Sequence, residues 1–240
     1  MLANSIDAFT RSGTLRSDLH LPVTILDRLL EFIADRLPMW RDDPQRPSDE
    51  TSEPTLTEHL TNYLASAARF SDGFDIFQFQ NEVGDEHCKG RKLDIAVKPC
   101  GVNIHIGTTC YSKYQCLLPI ECKRLPTPKG PKRDEREYVI NGNASTGGIQ
   151  RFKAGHHGGK HTLGVMIAYI QEETATHWHK RITSWIQDIV NAETRGWTSK
   201  DALDFEHEVE SAGLTVYRSF HSRPDDLAEI QLRHLWLRMN

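Results

Sequence analysis

The stretch TLGVMIAYI, residues 162 to 170, constrains the fold more than any other part of the chain. It is a near-continuous apolar run of strand length. A strand without a polar face has to be covered on both sides, so this run reads as a buried central strand with layers above and below it.

Helices and further strands are available to build those layers. Pro22 precedes a helical pattern in which Leu26, Leu29, Leu30, Ile33 and Leu37 share one face. PMWRDDPQRPSDETS (38 to 52) is rich in Pro, Asp and Ser and reads as a linker. A second helix is expected from about 54 to 68, with Leu56, Leu60, Tyr63, Leu64 and Ala67 inward. FDIFQFQ (74 to 80), KLDIAV (92 to 97) and LPIECKRL (118 to 125) carry strand signals, and GVNIHI (101 to 106) reads as a hairpin arm extending the sheet. STGGIQRFKAG (145 to 155) reads as a short helix, with Ser145 as its cap and Gly155 as its stop. Trp178, Ile182, Trp185, Ile186, Ile189 and Val190 mark one face of a helix from about 175 to 193. GLTVYRSFHS (213 to 222) and IQLRHLWLRM (230 to 239) read as late strands, and residues 1 to 20 as poorly ordered or loosely packed. The order predicts an α/β sandwich around a mixed sheet.

Composition narrows the class. Of 240 residues, 26% are charged and 38% hydrophobic, as in a soluble globular protein. No apolar run approaches the roughly 20 residues that span a bilayer. MLANSIDAFTRSGTLRSDL has no apolar signal-peptide core, so a cytoplasmic protein with no membrane partner is expected. Five cysteines without a C-x-x-C pair argue for reduced thiols and against a disulfide framework or zinc ribbon. Charge is segregated: residues 1 to 60 carry 6 Lys and Arg against 11 Asp and Glu, residues 121 to 160 carry 9 against 4, and residues 201 to 240 carry 4 against 8. A basic segment between acidic flanks suits an anion such as a phosphate backbone, although a solvated basic loop explains the charge equally well.

That basic segment opens with Glu121-Cys122-Lys123, the one [DE]-x-K of the chain. In a strand, Glu121 and Lys123 project to one face and Ile120 and Cys122 to the other. Asp94 lies in the preceding core strand. If the two strands are neighbours, Asp94, Glu121 and Lys123 gather on one face. Two carboxylates suit a hard divalent cation that bridges to substrate phosphate, and a lysine beside them suits a charged helper. The plainer alternative is a solvent-facing Glu/Lys pair on an ordinary strand.

The arrangement LDIAV, PIECKRL, GGIQRF resembles the PD-(D/E)xK nuclease superfamily, and REYVINGNASTGGIQRFKAGHHG resembles bacterial members found near defence genes. The resemblance covers roughly residues 50 to 190. It implies a restriction-endonuclease-like αβββαβ core over 50–195, an N-terminal helical extension and linker over 1–49, and a C-terminal strand extension over 196–240. It implies Asp94 and Glu121 as ligands of Mg²⁺ or Mn²⁺, together with the Cys122 carbonyl, and Lys123 as the catalytic lysine. Gln150 would support the site. A Glu on the first core helix is also implied. Glu53 lies in line with the apolar stripe and is preferred to Glu58, which falls on the opposite face. Placed before Pro54, it reads equally as a capping residue without a role in chemistry, and Glu82 at the end of the first strand is a further candidate. Leu93 rather than Pro precedes Asp94, a departure from the motif's name.

The function expected is Mg²⁺-dependent hydrolysis of DNA phosphodiesters in anti-phage defence. The alternatives are a latent nuclease-fold subunit that binds DNA within a larger complex, and a repair or junction nuclease. Lys129, Lys132, Arg133, Arg151 and Lys153 are the expected DNA contacts, while Arg136 and Tyr138 are alternatively placed against the core. DNA is the expected partner, with an ATPase or sensor subunit and a homo-oligomer as further expectations. GHHGGKH (155 to 161) reads as a glycine-rich loop rather than a metal site, and His177 and His179 read as surface residues. No Walker A pattern or dinucleotide fingerprint occurs.

Overall fold

The computed structural model describes residues 19–47, 51–86, 89–131, 133–142, 146–224 and 227–240. Ser145, Lys132 and residues 1 to 18, on which the expectation for the N-terminus falls, lie outside them.

The element order is β1 (Leu19–Leu21), α1 (Ile25–Arg41), α2 (Glu53–Arg69), β2 (Phe77–Gly84), β3 (Lys92–Pro99), β4 (Ile104–Ile106), β5 (Thr109–Tyr111), β6 (Leu118–Leu125), α3 (Gly148–Lys153), β7 (Leu163–Ile170), α4 (Ala175–Asn191), β8 (Asp204–Val209), β9 (Leu214–His221) and β10 (Ile230–Arg238). Seven strands form one mixed sheet in the order β2-β3-β6-β7-β10-β9-β8. β7 runs parallel to both β6 and β10, and the other pairs are antiparallel. The apolar run thus takes the middle of the sheet.

Alternation along the strands divides the core in two. Ile95, Val97, Ile120, Cys122, Val165 and Ile167 face α1 and α2. Leu125, Met166, Ala168 and Ile170 face α3 and α4, with Ile149, Phe152, Trp178, Ile182, Trp185 and Ile186 opposite. The N-terminal helix and the C-terminal strands share these cores with the central unit. Among the described residues, no helix is long and apolar enough to cross a membrane.

Several boundaries differ from the expectations. Helix α1 runs through Pro38 to Arg41 instead of ending in a linker at 38, because Trp40, 1% exposed, anchors its last turn in the core. Strand β2 begins at Phe77 rather than at 74. Phe74 sits in a turn and stacks on Phe32 of α1 with ring centroids 4.3 Å apart. The 101–106 arm does not extend the main sheet. Gly101 turns the chain with φ of 74°, and β4 forms a separate sheet between β1 and β5. The N-cap of α3 is Gly147. His179 is not a free surface residue, since it stacks on Tyr217 at 4.8 Å. Cys100 and Cys110 are exposed, Cys116 and Cys122 are buried, and all four are free.

Candidate active site

The β3–β6 ladder pairs Val97 with Leu118, Ala96 with Pro119 and Ile95 with Ile120, and stops there. Continued by one residue, the same register would set Asp94 opposite Glu121. The strands part instead, and from Glu121 to Leu125 strand β6 is paired only along its β7 edge. The backbone amides on its open edge still need acceptors. Two carboxylates supply them: Asp94 Oδ2 accepts from the Cys122 amide at 2.7 Å and Glu53 Oε2 from the Arg124 amide at 3.0 Å. Glu53 reaches the strand from the first turn of α2, which Ser52 caps through the Thr55 amide. The start of a helix is where a carboxylate is favoured.

Lys123 occupies the space between these acids. Its Nζ lies 2.7 Å from Glu121 Oε1, 2.8 Å from the Cys122 carbonyl oxygen, 3.1 Å from Glu53 Oε1 and 3.8 Å from Asp94 Oδ2. Burial alone would lower its pKa, but Glu121, Glu53 and Asp94 together raise it, so the ammonium stays charged. Glu121 is fully buried. Its burial would raise its pKa, yet Lys123, contact with His157 and Arg151 hold it well below the usual carboxylate range. Arg151 Nη1 meets Glu121 Oε1 at 2.5 Å, and His157 Nδ1 lies 3.2 Å from Oε2 without the alignment of a hydrogen bond. Asp94 is pushed the other way, up to about 7, by burial and then by the charge of Glu121.

The structure therefore brings together Glu53, Asp94, Glu121, the Cys122 carbonyl and Lys123. Glu58 is exposed, and Glu82 pairs with Lys92 at the surface. Gln150 faces elsewhere: its Oε1 accepts from the Asn141 and Gly147 amides, each at 3.2 Å, and so ties the preceding loop to α3. Of the expected DNA contacts, Lys129 is exposed, and exposed Arg133 pairs with Glu137. Arg151 is turned onto Glu121. Lys153 is buried against Asp201 at 2.5 Å, so its charge is already matched. Arg136 pairs with Asp134, while Tyr138 is fully buried.

Two members were not anticipated as parts of the site. The sequence places Arg151 among the DNA contacts and His157 in a glycine-rich loop, whereas both side chains lie against Glu121. The one signal for His157 was its place in a glycine-rich turn. Gly158, with φ of 62°, turns that loop against Pro119 of β6.

Among the described residues, no three His, Cys, Asp or Glu side chains form a ready-made metal cage. The oxygens converge on the lysine ammonium. Three carboxylates nevertheless face two fixed cations, Lys123 and Arg151, and Asp94 is pushed up to about 7 by burial first and by the charge of Glu121 second. This donor set suits a hard divalent cation. No family model matches the chain, and neither the curated proteins nor the solved structures include a match.

Proposed function

We propose that the chain is a metal-dependent nuclease that hydrolyses DNA phosphodiester bonds. One observation carries the reading. Three carboxylates and a main-chain carbonyl converge on one lysine at the point where two core strands part. Asp94, Glu121 and the Cys122 carbonyl would hold Mg²⁺ or Mn²⁺, with Glu53 beside them. Bound there, the ion would acidify a water and stabilise charge on a phosphate.

The chain's own residues do the rest. Glu53 and Asp94 hold the open edge of β6 in place through the Arg124 and Cys122 amides. Lys123, released from part of its carboxylate contacts, presents an ammonium to the attacked phosphate and offsets the developing negative charge. Lys129 supports a phosphate track at the surface. The restriction-endonuclease-like core and the role in bacterial anti-phage defence belong to this same reading.

A second reading rests on the enclosure of Glu121. Lys123, Arg151 and His157 surround it and leave it no exposure. This favours a latent nuclease subunit whose site opens only with a partner such as an ATPase or sensor subunit. Incubating the purified full chain with supercoiled plasmid and Mg²⁺ or Mn²⁺ separates the two. Cleavage that Glu121→Ala and Lys123→Ala abolish supports the nuclease. DNA binding without cleavage supports the latent subunit. Undiminished cleavage by both variants overturns the assignment.

A further inference from the structure

Helix α3 has two functional faces. Arg151 reaches Glu121, whereas Gln150, Lys153 and Ala154 line a separate cavity of about 750 Å³. This falls within the range of small-ligand pockets. Among the described residues no Asp or Glu lines it, but Lys153, Arg195 and Arg223 do. Trp197 forms an aromatic wall, with Lys153 Nζ 5.0 Å from its ring centroid.

The three cations differ in what already holds them. Lys153 is neutralised by Asp201. Half-buried Arg223 donates to three carbonyl oxygens, of Ala228 at 2.6 Å, His161 at 2.8 Å and Gly158 at 3.0 Å, and meets no carboxylate among the described residues. Burial lowers its pKa, with no acid to offset it. Arg195 is exposed at the rim and has no ion-pair partner among the described residues. Asp225 and Asp226 lie outside the described residues.

We propose that this cavity binds a nucleoside phosphate, with the base against Trp197 and the phosphate between Arg195 and Arg223. Guanidinium groups match a phosphate's geometry, and an indole wall takes any base through its π-face. A bare phosphate would leave the aromatic wall unused, and an uncharged ring would leave the arginine charge unmatched. The site is distinct from the Glu121 centre and needs no metal.

The test is calorimetric titration of the full chain in EDTA with adenosine 5′-monophosphate, ribose 5-phosphate, adenosine and a 5′-phosphorylated oligo-dA. Adenosine 5′-monophosphate should bind at least about tenfold more tightly than either fragment, the worth of one base stack. Arg195→Glu, at an exposed position, should weaken it by about tenfold or more without changing the thermal midpoint. Trp197→Leu should weaken binding by about tenfold as well. The tighter of mononucleotide and oligonucleotide identifies a free nucleotide or a strand end as the source. The proposal is overturned by absence of binding at millimolar concentration, by affinity that Arg195→Glu leaves unchanged, or by binding that emerges only in an Asp225→Asn/Asp226→Asn variant. Because EDTA removes any metal, a failure of the nuclease reading leaves this result intact.

Discussion

The amide of Cys122 donates to Asp94 Oδ2 at 2.7 Å, in the place where an antiparallel neighbour would have offered a main-chain carbonyl. Two residues on, Glu53 does the same for Arg124. The site is therefore a sheet edge opened inside the fold, with acids substituting for a strand. The same acids that keep β6 in place crowd their charge around Lys123, so structure and chemistry draw on one set of groups.

Glu121 and Lys123 should behave as an electrostatic unit. They meet at 2.7 Å with the carboxylate fully buried and the lysine side chain 8% exposed. Removing one partner of a buried pair leaves an uncompensated charge and costs about 3–5 kcal/mol, whereas removing both costs less than the two together. In a double-mutant cycle of Glu121→Gln and Lys123→Met, followed by urea unfolding, the coupling energy should exceed about 1 kcal/mol. Additive losses would mean that the remaining charges, Arg151 and Glu53, already balance each residue separately.

Gly147 should tolerate no side chain. Its φ of −65° and ψ of 146° are ordinary for alanine, so only space forbids the change. A Cβ there would lie 2.3 Å from Ile140 Cα and 2.6 Å from its carbonyl carbon, both backbone atoms. The loop cannot withdraw easily, because the Gly148, Ile149 and Gln150 amides of α3 donate to the Glu137, Tyr138 and Val139 carbonyls. Gly147→Ala should cost about 3 kcal/mol. It should also displace Arg151 from Glu121, read as a lower urea midpoint.

The strand alternation of KLDIAV and LPIECKRL made Asp94, Glu121 and Lys123 legible, since each depends on a local period, whereas Glu53 came from the resemblance, with the apolar stripe of α2 deciding between it and Glu58. Arg151 and His157 depend on where a six-residue helix and a glycine loop dock, and no period reports that. Neighbouring positions on a helix point about 100° apart, which is enough to exchange Gln150 for Arg151 at the site. Strand β8 escaped notice because DFEHEV carries three acids and a histidine, and its two apolar residues, Phe205 and Val209, stay exposed, as suits an edge strand. Strands β1, β4 and β5, of 3 residues each, are too short to carry a period.

His157 should hold Glu121 through Nδ1 specifically. The ring is fully buried, packs edge-on against Phe152 with centroids 5.9 Å apart, and sets Nδ1 3.2 Å from Oε2. An asparagine amide nitrogen overlies Nδ1, whereas a glutamine amide nitrogen overlies Nε2. His157→Ala should lose about 1–3 kcal/mol by removing the polar Nδ1 that lies against the buried Oε2. His157→Asn should recover part of that loss and His157→Gln should not, as measured by urea unfolding. Equal recovery by both would reduce the residue to a space filler.

Acid should weaken the fold from near neutrality, through a polar chain in the second core. Lys153 and His221 Nδ1 both reach Asp201 Oδ1, at 2.5 and 2.6 Å. Ser219 Oγ links His221 Nε2 at 2.6 Å to His234 Nε2 at 2.7 Å. His234 Nδ1 meets the Tyr138 hydroxyl at 2.7 Å, and that hydroxyl accepts from Trp236 Nε1 at 2.8 Å. The donors run in one direction only if both histidines are neutral. His221 then carries its proton on Nδ1, facing the carboxylate, and His234 carries its proton on Nε2, leaving Nδ1 to accept from Tyr138. Burial lowers the pKa of both rings, against the pull of Asp201 on His221. Asp201 is also lowered, because His221 and Lys153 outweigh its burial. The signs agree. A lowered histidine stabilises the fold above the unfolded pKa near 6.5 and loses that stability as the pH falls. A lowered aspartate adds its own loss below about 4. These three groups should therefore make stability decline below about pH 6.5, with a slope of up to about 1.4 kcal/mol per pH unit for each histidine. Asp94, raised to about 7, has the opposite sign in the same window, so the profile is to be read in an Asp94→Asn background. Urea midpoints between pH 8 and 5 would show the slope, and ¹⁵N spectra would show the two opposite tautomers. A flat profile, or His221 protonated on Nε2, would break the chain at Ser219.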